Sequence, residues 1–285
     1  MKNNKKGDVK SFESNWKKRE ESLYNHWTRD KVTNQIQLAF RNHWTLFKEI
    51  INNEINFNGG KRTLEIGCGR GTLSSYFSDA GYDCTLVDIS ETIIQVAKNI
   101  FKENNLKGSF LVGDTNELKF NDNSFDIIFS IGLLEHFEDI SKPIKEQIRV
   151  LDKGGIWFGY IVPHYVNNIQ KEYEWINNIL KGYQSKSDIE INKKESLFRS
   201  DSDSKKYVEV LKRNGLRQIN VSGVYPIPMI SHSIDFPFSL MPQESEIELV
   251  KHFEILLEKN QLKNRKHPWM CDEGYGNAFL VWGIK

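Results

Sequence analysis

The chain has 285 residues, a length that suits one elaborated α/β domain. Hydrophobic residues make up 39% of it, aromatic residues 12% and charged residues 27%, so the composition supports a sizeable core and excludes a disordered chain. The formal net charge is +1, so no overall field attracts nucleic acid or an anionic membrane. Residues 1–31 carry nine Lys or Arg against five Asp or Glu, which we interpret as a solvated arm.

Cysteine usage and hydropathy bear on the compartment. Three cysteines, Cys68, Cys84 and Cys271, are an odd number without metal-type spacing, so we expect neither a disulfide framework nor a bound metal. Residues 1–10 are polar and lack the apolar stretch of a secretory signal. No run approaches the roughly 18 apolar residues that a bilayer span requires. These features predict a reduced, cytoplasmic protein without membrane insertion.

The chain divides into segments by its pattern. Helical spacing of aromatic residues over 16–51 predicts an N-terminal helical extension, residues 1–58, that precedes the core. Residues 59–163 alternate strands and helices, with strands predicted at 62–66, 84–87, 110–112, 125–129 and 156–162 and helices at 72–81, 91–104 and 140–151. Gly154 and Gly155 indicate a turn before the fifth strand. Alternation of this kind predicts a mostly parallel, doubly wound sheet covered on both faces.

The second half is less regular. Residues 164–204 are predicted to be an insertion and a candidate substrate cap, and the Ser/Lys/Asp-rich stretch 184–206 within and after it is predicted to be a loop. Residues 205–285 are predicted to complete the same sheet, with a helix at 205–211, strands at 217–225 and 277–284, and a helical insertion near 226–273. An amphipathic helix over 245–257 is expected inside that insertion.

A glycine-rich loop follows the first predicted strand. Residues 64–72 read Leu-Glu-Ile-Gly-Cys-Gly-Arg-Gly-Thr. Glycines at this place let the backbone approach a ligand at a helix N-terminus, which is typical of a nucleotide-like cofactor site. A dinucleotide fingerprint needs a third glycine at position 72, which is Thr here, so the pattern disfavours NAD.

Glu65, Gly67, Gly69 and Gly71 resemble the E-x-G-x-G-x-G motif of the class I S-adenosylmethionine-dependent methyltransferases. The resemblance covers about residues 60–163. It implies a Rossmann-like methyltransferase fold with a seven-stranded sheet, S-adenosylmethionine as cofactor and S-adenosylhomocysteine as product. It also implies that this loop, with Cys68, packs against the methionyl and ribose groups, and that Glu65 orders the loop.

Two acidic residues follow the next strands. Asp88 ends the second strand, where a carboxylate can accept hydrogen bonds from two ribose hydroxyls, and the resemblance implies that role for it, with Ile89 beside the adenine. The resemblance implies that Asp114 accepts a hydrogen bond from the adenine amino group, with Thr115 at the same contact. A turn or a helix cap is the alternative for both carboxylates.

Residues 124–137 resemble the family's fourth-strand segment. The resemblance implies that Ser130 and Ile131 touch the cofactor beside the transferable methyl group. His136 is a candidate general base, because an imidazole pKa of about 6.5 suits proton removal near neutrality. A structural role for Glu135 and His136 at a helix start is the alternative.

The acceptor is less well defined by the sequence. Tyr24 and Trp27 in the extension, and His164 and Tyr165 after the fifth strand, are predicted to contact it, although early aromatic residues at helical spacing can instead belong to the core. We expect methylation of a small-molecule acceptor at oxygen or nitrogen, with nucleic acid disfavoured. The alternatives are an RNA or protein methyltransferase that uses the basic arm, and a non-catalytic cofactor-binding regulatory or scaffold subunit.

Overall fold

The computed structural model describes residues 26–54, 56–164, 167–182, 198–230, 241–264 and 266–285. In these ranges the helices are α1 Gln35–Asn53, α2 Thr72–Asp79, α3 Glu91–Glu103, α4 Ser141–Val150, α5 Ile169–Glu172, α6 Glu174–Gly182, α7 Ser204–Arg213 and α8 Gln243–Asn264, with a 3-10 turn at Leu134–His136. The strands are β1 Arg62–Ile66, β2 Asp83–Asp88, β3 Ser109–Val112, β4 Phe125–Ile131, β5 Leu151–Ile161, β6 Arg217–Val224, β7 Met270–Cys271 and β8 Ala278–Ile284.

All these strands form one sheet in the order β3-β2-β1-β4-β5-β8-β6-β7. Strands β1 to β5 are parallel, and β8 runs antiparallel to both β5 and β6. The strand order reverses between β1 and β4, so the carboxyl ends of these two strands flank the switch point where open α/β sheets bind ligands. The doubly wound α/β fold is therefore confirmed.

Within the described residues the sheet has eight strands, so the predicted number of seven was wrong. The additional strand, β7, has two residues and pairs antiparallel with Gly223 and Val224 of β6. Two residues are too few to show the alternation of apolar and polar side chains by which a strand is recognised in a sequence.

Two apolar layers cover the sheet. On one face, Phe47 of α1 stacks on Phe158 of β5 with ring centroids 4.4 Å apart, and α2, α3 and α8 pack on the same face. On the other face, Ile144 of α4 and Tyr207 of α7 are buried with Leu64 of β1. Helices on both faces leave the carboxyl edge of the sheet, rather than either face, for ligand binding.

Three segments differ from the prediction. Helices were predicted over 16–51; in the described part of that range residues 26–34 are not helical, and a helix begins at Gln35, where the side chain of Asn34 caps it. β5 begins at Leu151 and runs through the predicted glycine turn, because a shift of register beside β4 absorbs the irregularity. The predicted insertion contains α5 and α6, while most of the predicted loop, residues 183–197, lies outside the described residues.

Candidate cofactor and acceptor site

The glycine loop joins β1 to α2 in a conformation that needs glycine. Gly67 and Gly71 have φ of +65° and +67°. A Cβ atom on Gly67 would lie 2.9 Å from a methyl carbon of Leu133, and one on Gly71 would lie 2.5 Å from a methyl carbon of Leu86. Gly71 is the N-cap of α2 and offers no side-chain cap, an arrangement in which N–H groups of the first helical turn are available to a ligand.

Glu65 near the end of β1 and Cys68 in the glycine loop have buried side chains. The Oε2 atom of Glu65 accepts hydrogen bonds from the backbone N–H of Ser74 at 3.2 Å and from its hydroxyl at 2.5 Å. Burial raises the pKa of Glu65 to about 8, against the effect of these two bonds. The thiol of Cys68 is buried, and burial raises its pKa well above the ordinary value. Glu65 therefore fastens β1 to α2. The backbone N–H of Cys68 donates to the carbonyl oxygen of Val87 at 3.1 Å, and its carbonyl oxygen accepts from the N–H of Gly71 at 2.8 Å.

Asp88 connects the glycine loop to the end of β2. Its Oδ2 accepts from the N–H of Gly69 at 3.2 Å, and its Oδ1 accepts from the N–H of Ser90 at 3.1 Å. Burial raises the pKa of Asp88, and the backbone donors partly oppose that rise. A carboxylate has about four acceptor sites, so these two bonds leave capacity for a pair of hydroxyl donors.

Two apolar side chains lie exposed beside Asp88. Ile89 is 53% exposed and Val112 is 52% exposed, and Val112 is the register partner of Asp88. The N–H of Gly113 donates to the carbonyl oxygen of Asp88 at 2.9 Å, which holds the ends of β2 and β3 together. Uncovered branched side chains at neighbouring strand ends form an apolar surface suited to a planar base.

The loop after β3 contains two predicted cofactor contacts, Asp114 and Thr115, whose side chains lie in different surroundings. Asp114 is exposed, and its Oδ1 accepts from the backbone N–H and the side-chain amide of Asn116, both at 2.8 Å. Thr115 is buried, and its hydroxyl accepts from Gln147 at 3.2 Å, which in turn accepts from the indole N–H of Trp157 at 2.8 Å. The Thr115 side chain thus belongs to a buried network, whereas Asp114 can reach a ligand.

The end of β4 holds unsatisfied polar atoms. Ser130 is fully buried, and its hydroxyl has no hydrogen-bond partner among the described residues. Ile131 beside it is half-buried. Glu135 is also fully buried, with Oε1 accepting from the N–H of Val162 at 3.3 Å and Oε2 lacking a partner within the described ranges. Burial raises the pKa of Glu135 to about 7. Buried polar groups without partners commonly mark a ligand or water position.

His136 is held by a distant part of the chain. Its Nδ1 lies 2.7 Å from the carbonyl oxygen of Phe198, which can only accept, so Nδ1 carries the hydrogen and the neutral ring has its lone pair on Nε2. The N–H of Ser200 donates to the carbonyl oxygen of Glu135 at 2.8 Å, and the N–H of His164 donates to that of Ser200 at 3.0 Å. Residues 198–200 therefore cross the ends of β4 and β5, and we call them the strap.

The remaining predicted acceptor residues have varied positions. Trp27 is 4% exposed, with its ring 6.1 Å from that of Tyr76 and the guanidinium of Arg29 4.9 Å above it, so it packs into the core. His164 is exposed at the end of β5. Tyr24 and Tyr165 lie outside the described residues.

A buried aromatic cluster lies beside the end of β5. The indole N–H of Trp269 donates to Nδ1 of His43 at 2.8 Å, and the His43 ring lies 4.6 Å from that of Tyr160. Tyr225 stands 4.7 Å from Trp269. Burial lowers the pKa of His43 to about 3, so its ring is neutral and accepts the indole hydrogen. α1 is thereby fixed against the C-terminal strands.

The edge fits an adenosyl cofactor. Asp88 can receive two hydroxyls, Ile89 and Val112 offer an apolar surface, and the buried hydroxyl of Ser130, which has no partner among the described residues, lies at the end of β4. These are the groups that a ribose, a base and a short polar chain require, and they lie on adjacent strands.

Comparison with known proteins agrees with this arrangement. A family model described as a methyltransferase domain matches residues 64–158. Residues 64–158 of this chain therefore correspond to a methyltransferase domain. That match begins within β1 and ends within β5, so it contains the glycine loop, Asp88, Asp114 and His136.

Curated relatives share this methyltransferase domain. A ubiquinone biosynthesis O-methyltransferase of Coxiella burnetii is 37% identical over 99 residues, which cover 35% of this chain and 42% of the relative. A demethylmenaquinone methyltransferase of Leptospira interrogans is 34% identical over 128 residues, covering 43% and 49% of the two chains. The chain thus spans less than half the length of these curated relatives.

Among solved structures, a magnesium protoporphyrin IX methyltransferase of Synechocystis with bound SAM has a TM-score of 0.55, with 14% identity over 100% of this chain and 98% of that one. This likeness concerns the fold alone. Within the described ranges, no helix combines the length and apolar character needed to cross a bilayer. All three cysteines are free thiols.

Several site residues of the methyltransferase domain escaped the sequence analysis. Val112 was missed although its place before Gly113, at the end of a strand, was a usable signal. The contacts of the strap with Glu135 and His136 had no sequence signal, because residues more than sixty positions apart meet only in the fold. The cofactor and acceptor contacts assigned to the named residues stay predictions.

Proposed function

We propose that this chain transfers the methyl group of S-adenosylmethionine to a small-molecule acceptor at oxygen or nitrogen. The observation that carries the proposal is the convergence of the glycine loop, Asp88 and the exposed Ile89 and Val112 at one edge of the sheet. The curated relatives support a small acceptor, because their names refer to ubiquinone and menaquinone. The balanced net charge of +1 also favours such an acceptor over nucleic acid.

The cofactor supplies an electrophilic methyl group on a sulfonium. We assign the protein's part to three tasks: Asp88 holds the ribose, Asp114 contacts the adenine, and the ends of β4 and β5 orient the acceptor in a site shielded from water. Positioning of this kind can supply much of the rate enhancement of a displacement reaction.

His136 is proposed to remove the acceptor proton. The strap fixes its Nδ1 as a donor, which leaves the Nε2 lone pair as the basic atom of the neutral ring. A hydroxyl acceptor would then lose its proton to Nε2, and the new bond from its oxygen to the methyl carbon would replace the bond from that carbon to sulfur, which leaves as S-adenosylhomocysteine. An amine acceptor would need the same atom only if it arrived protonated.

Each segment of the chain has a proposed part in this function. Residues 59–163 serve as the cofactor-binding core, and residues 1–58 and 164–204 contribute acceptor contacts, among them His164 at the end of β5. Free thiols at all three cysteines support a reducing compartment, so we propose that the protein works in the cytoplasm.

Transfer of a labelled methyl group tests the proposal. Purified protein is incubated with methyl-labelled S-adenosylmethionine and, in separate reactions, a panel of phenols and amines, total RNA, and a protein extract. Label is expected in a small-molecule product, and at cofactor concentrations below saturation the Asp88→Asn variant should incorporate less of it while the Asp83→Asn variant matches the unaltered protein. Label in RNA or protein alone would overturn the small-molecule assignment. Binding of S-adenosylhomocysteine without labelling of any pool would indicate a non-catalytic subunit.

A further inference from the structure

The loop between β3 and β4, residues 113–124, is fastened to α4 by hydrogen bonds. The Oε2 atom of Glu146 accepts from the backbone N–H of Leu118 at 3.0 Å. The guanidinium of Arg149 donates to the carbonyl oxygens of Leu118 and Phe120, both at 2.8 Å. These bonds reach main-chain atoms of the loop, so α4 sets the path of the loop between its two strands.

A third α4 side chain, Gln147, reaches the same loop from a fully buried position. Its Nε2 donates to the hydroxyl oxygen of Thr115 at 3.2 Å, and its Oε1 accepts from the indole N–H of Trp157 in β5 at 2.8 Å. Burying an amide is unfavourable unless its polar atoms are bonded, and both atoms have a partner here. A leucine would fill a similar volume without that requirement. The amide therefore contributes direction, because a satisfied buried network fixes one geometry.

The residue that Gln147 holds, Thr115, follows Asp114 directly. The Oδ1 atom of Asp114 accepts from the backbone N–H and the side-chain amide of Asn116, which closes a tight turn around Thr115. Both bonds use Oδ1, so Oδ2 is left for a ligand donor. On the other side of Asp114, the N–H of Gly113 donates to the carbonyl oxygen of Asp88 at 2.9 Å. The Asp114 carboxylate is thus oriented between the end of β2 and the Thr115 hydroxyl.

We propose that Gln147, through Thr115, is the positioning residue that gives the cofactor site its preference for adenine, an inference that rests on the proposed function. The amide holds the turn in place while Oδ2 of Asp114 accepts a hydrogen from the adenine amino group. Without the bond from Gln147 the turn shifts, and a hydrogen bond to a carboxylate weakens as its distance and angle depart from the optimum. The site then loses its preference for the amino group and keeps its contacts with the ribose.

Calorimetric titration tests the proposal with two ligands, S-adenosylhomocysteine and its purine analogue, in which hydrogen replaces the adenine amino group. The unaltered protein is expected to prefer S-adenosylhomocysteine about tenfold or more. Thr115→Val removes the hydroxyl and keeps the shape, so it should weaken S-adenosylhomocysteine binding about threefold to tenfold and leave the analogue within about twofold. Gln147→Leu should give the same result from a position buried behind the loop. Thr115→Ser keeps the hydroxyl and should retain the preference.

The matched control is Thr63→Val at the amino end of β1. Thr63 is fully buried, and its hydroxyl donates to the carbonyl oxygen of Asp83 at 3.4 Å. The substitution removes a buried hydroxyl of the same kind, away from the carboxyl edge of the sheet. Both affinities and their ratio should therefore match those of the unaltered protein.

The outcomes separate the positioning role from the proposed function. Equal losses for both ligands in Thr115→Val, or an unchanged preference in Thr115→Val or Gln147→Leu, would overturn the role of Gln147. Equal affinity of the unaltered protein for the two ligands would also overturn it, while the proposed function would stand. Failure of the unaltered protein to bind either ligand would overturn the proposed function itself.

Discussion

At the carboxyl edge of the sheet, the proposed cofactor half comes from residues 65–114, whereas the proposed acceptor half joins His136 to the strap. Asp88, the last residue of β2, reaches Gly69 in the loop after β1 across nineteen positions. His136 meets Phe198 across 62 positions, and in the buried aromatic cluster His43 meets Trp269 across 226. Short loops after strands leave local patterns in the sequence. Contacts between distant segments do not, so the two halves differ in how far the sequence predicts them.

The largest expected effect is a loss of turnover without a loss of cofactor affinity. His136→Ala should lower turnover about a hundredfold to ten-thousandfold and leave S-adenosylhomocysteine affinity within about twofold, because the base acts on the acceptor. Steady-state kinetics and calorimetry on the same preparation check this. His252→Ala, an exposed imidazole on α8, is the control.

A second substitution at the same position separates chemistry from support. The amide of His136→Asn can still donate to the Phe198 carbonyl but cannot take a proton near neutrality. Its turnover should be as low as that of His136→Ala. Full turnover in the Asn variant would reduce His136 to a support for the strap.

The next effect compares two glycines of positive φ. Gly71→Ala should lower the free energy of unfolding by about 3 kcal/mol, because the left-handed backbone is strained and the new Cβ meets Leu86 at 2.5 Å. Gly81→Ala, with φ of +83° and open space, should cost about 1 kcal/mol. Urea denaturation without ligand measures both. Equal losses would mean that the cofactor loop relaxes around a Cβ.

The pH dependence of stability in Glu135→Gln tests the buried carboxyl of the 3-10 turn that follows β4. Folding raises the pKa of the Glu135 carboxyl from 4.5 to about 7. Its contribution to stability is therefore complete below pH 4.5 and is lost as the pH rises to about 7. The unaltered protein should therefore lose up to about 3 kcal/mol of stability relative to the Gln variant across this window. A stability difference that stays constant with pH would show that Glu135 does not titrate there.

The smallest effect concerns the cofactor half. Asp88→Asn should weaken S-adenosylhomocysteine binding by about 1–3 kcal/mol, because a neutral amide oxygen is a poorer acceptor for the ribose hydroxyls than a carboxylate. Asp83→Asn, at the exposed start of the same strand, is the matched control. An unchanged dissociation constant for Asp88→Asn would remove Asp88 from the ribose site and leave it as a link between the glycine loop and Ser90.

These regions also show what the sequence could predict. The alternation of apolar strands and helices located β1, β2, α2 and α3 to within a residue or two, and the side chain of Ser90 caps α3. β7 was missed because two residues carry no period. The predicted start of β5 lay too far along the chain, because Gly154 and Gly155 indicate a turn unless the pairing with β4 is known. Trp27 was assigned to the acceptor, yet its aromatic spacing reflects packing on α2.

In the candidate site, too, features that depend on neighbouring residues were predictable and contacts between distant segments were not. Glycine spacing and strand-end carboxylates pointed to the cofactor edge, since each depends on its immediate neighbours. Thr115 was predicted as a cofactor contact; its buried hydroxyl is bonded to Gln147 on a helix far along the chain, a contact that its neighbours in the sequence do not indicate. The strap and the His43–Trp269 pair arise from packing between segments far apart in the sequence, which no local pattern reports.

Calorimetric titration of the unaltered protein with S-adenosylmethionine, S-adenosylhomocysteine and NAD tests the central claim most directly. Every later inference depends on an adenosyl cofactor at the carboxyl edge of β1, β2 and β4. The account predicts one-to-one binding of the two adenosyl ligands, with dissociation constants on the order of micromolar, and no binding of NAD. Binding of NAD alone would contradict it.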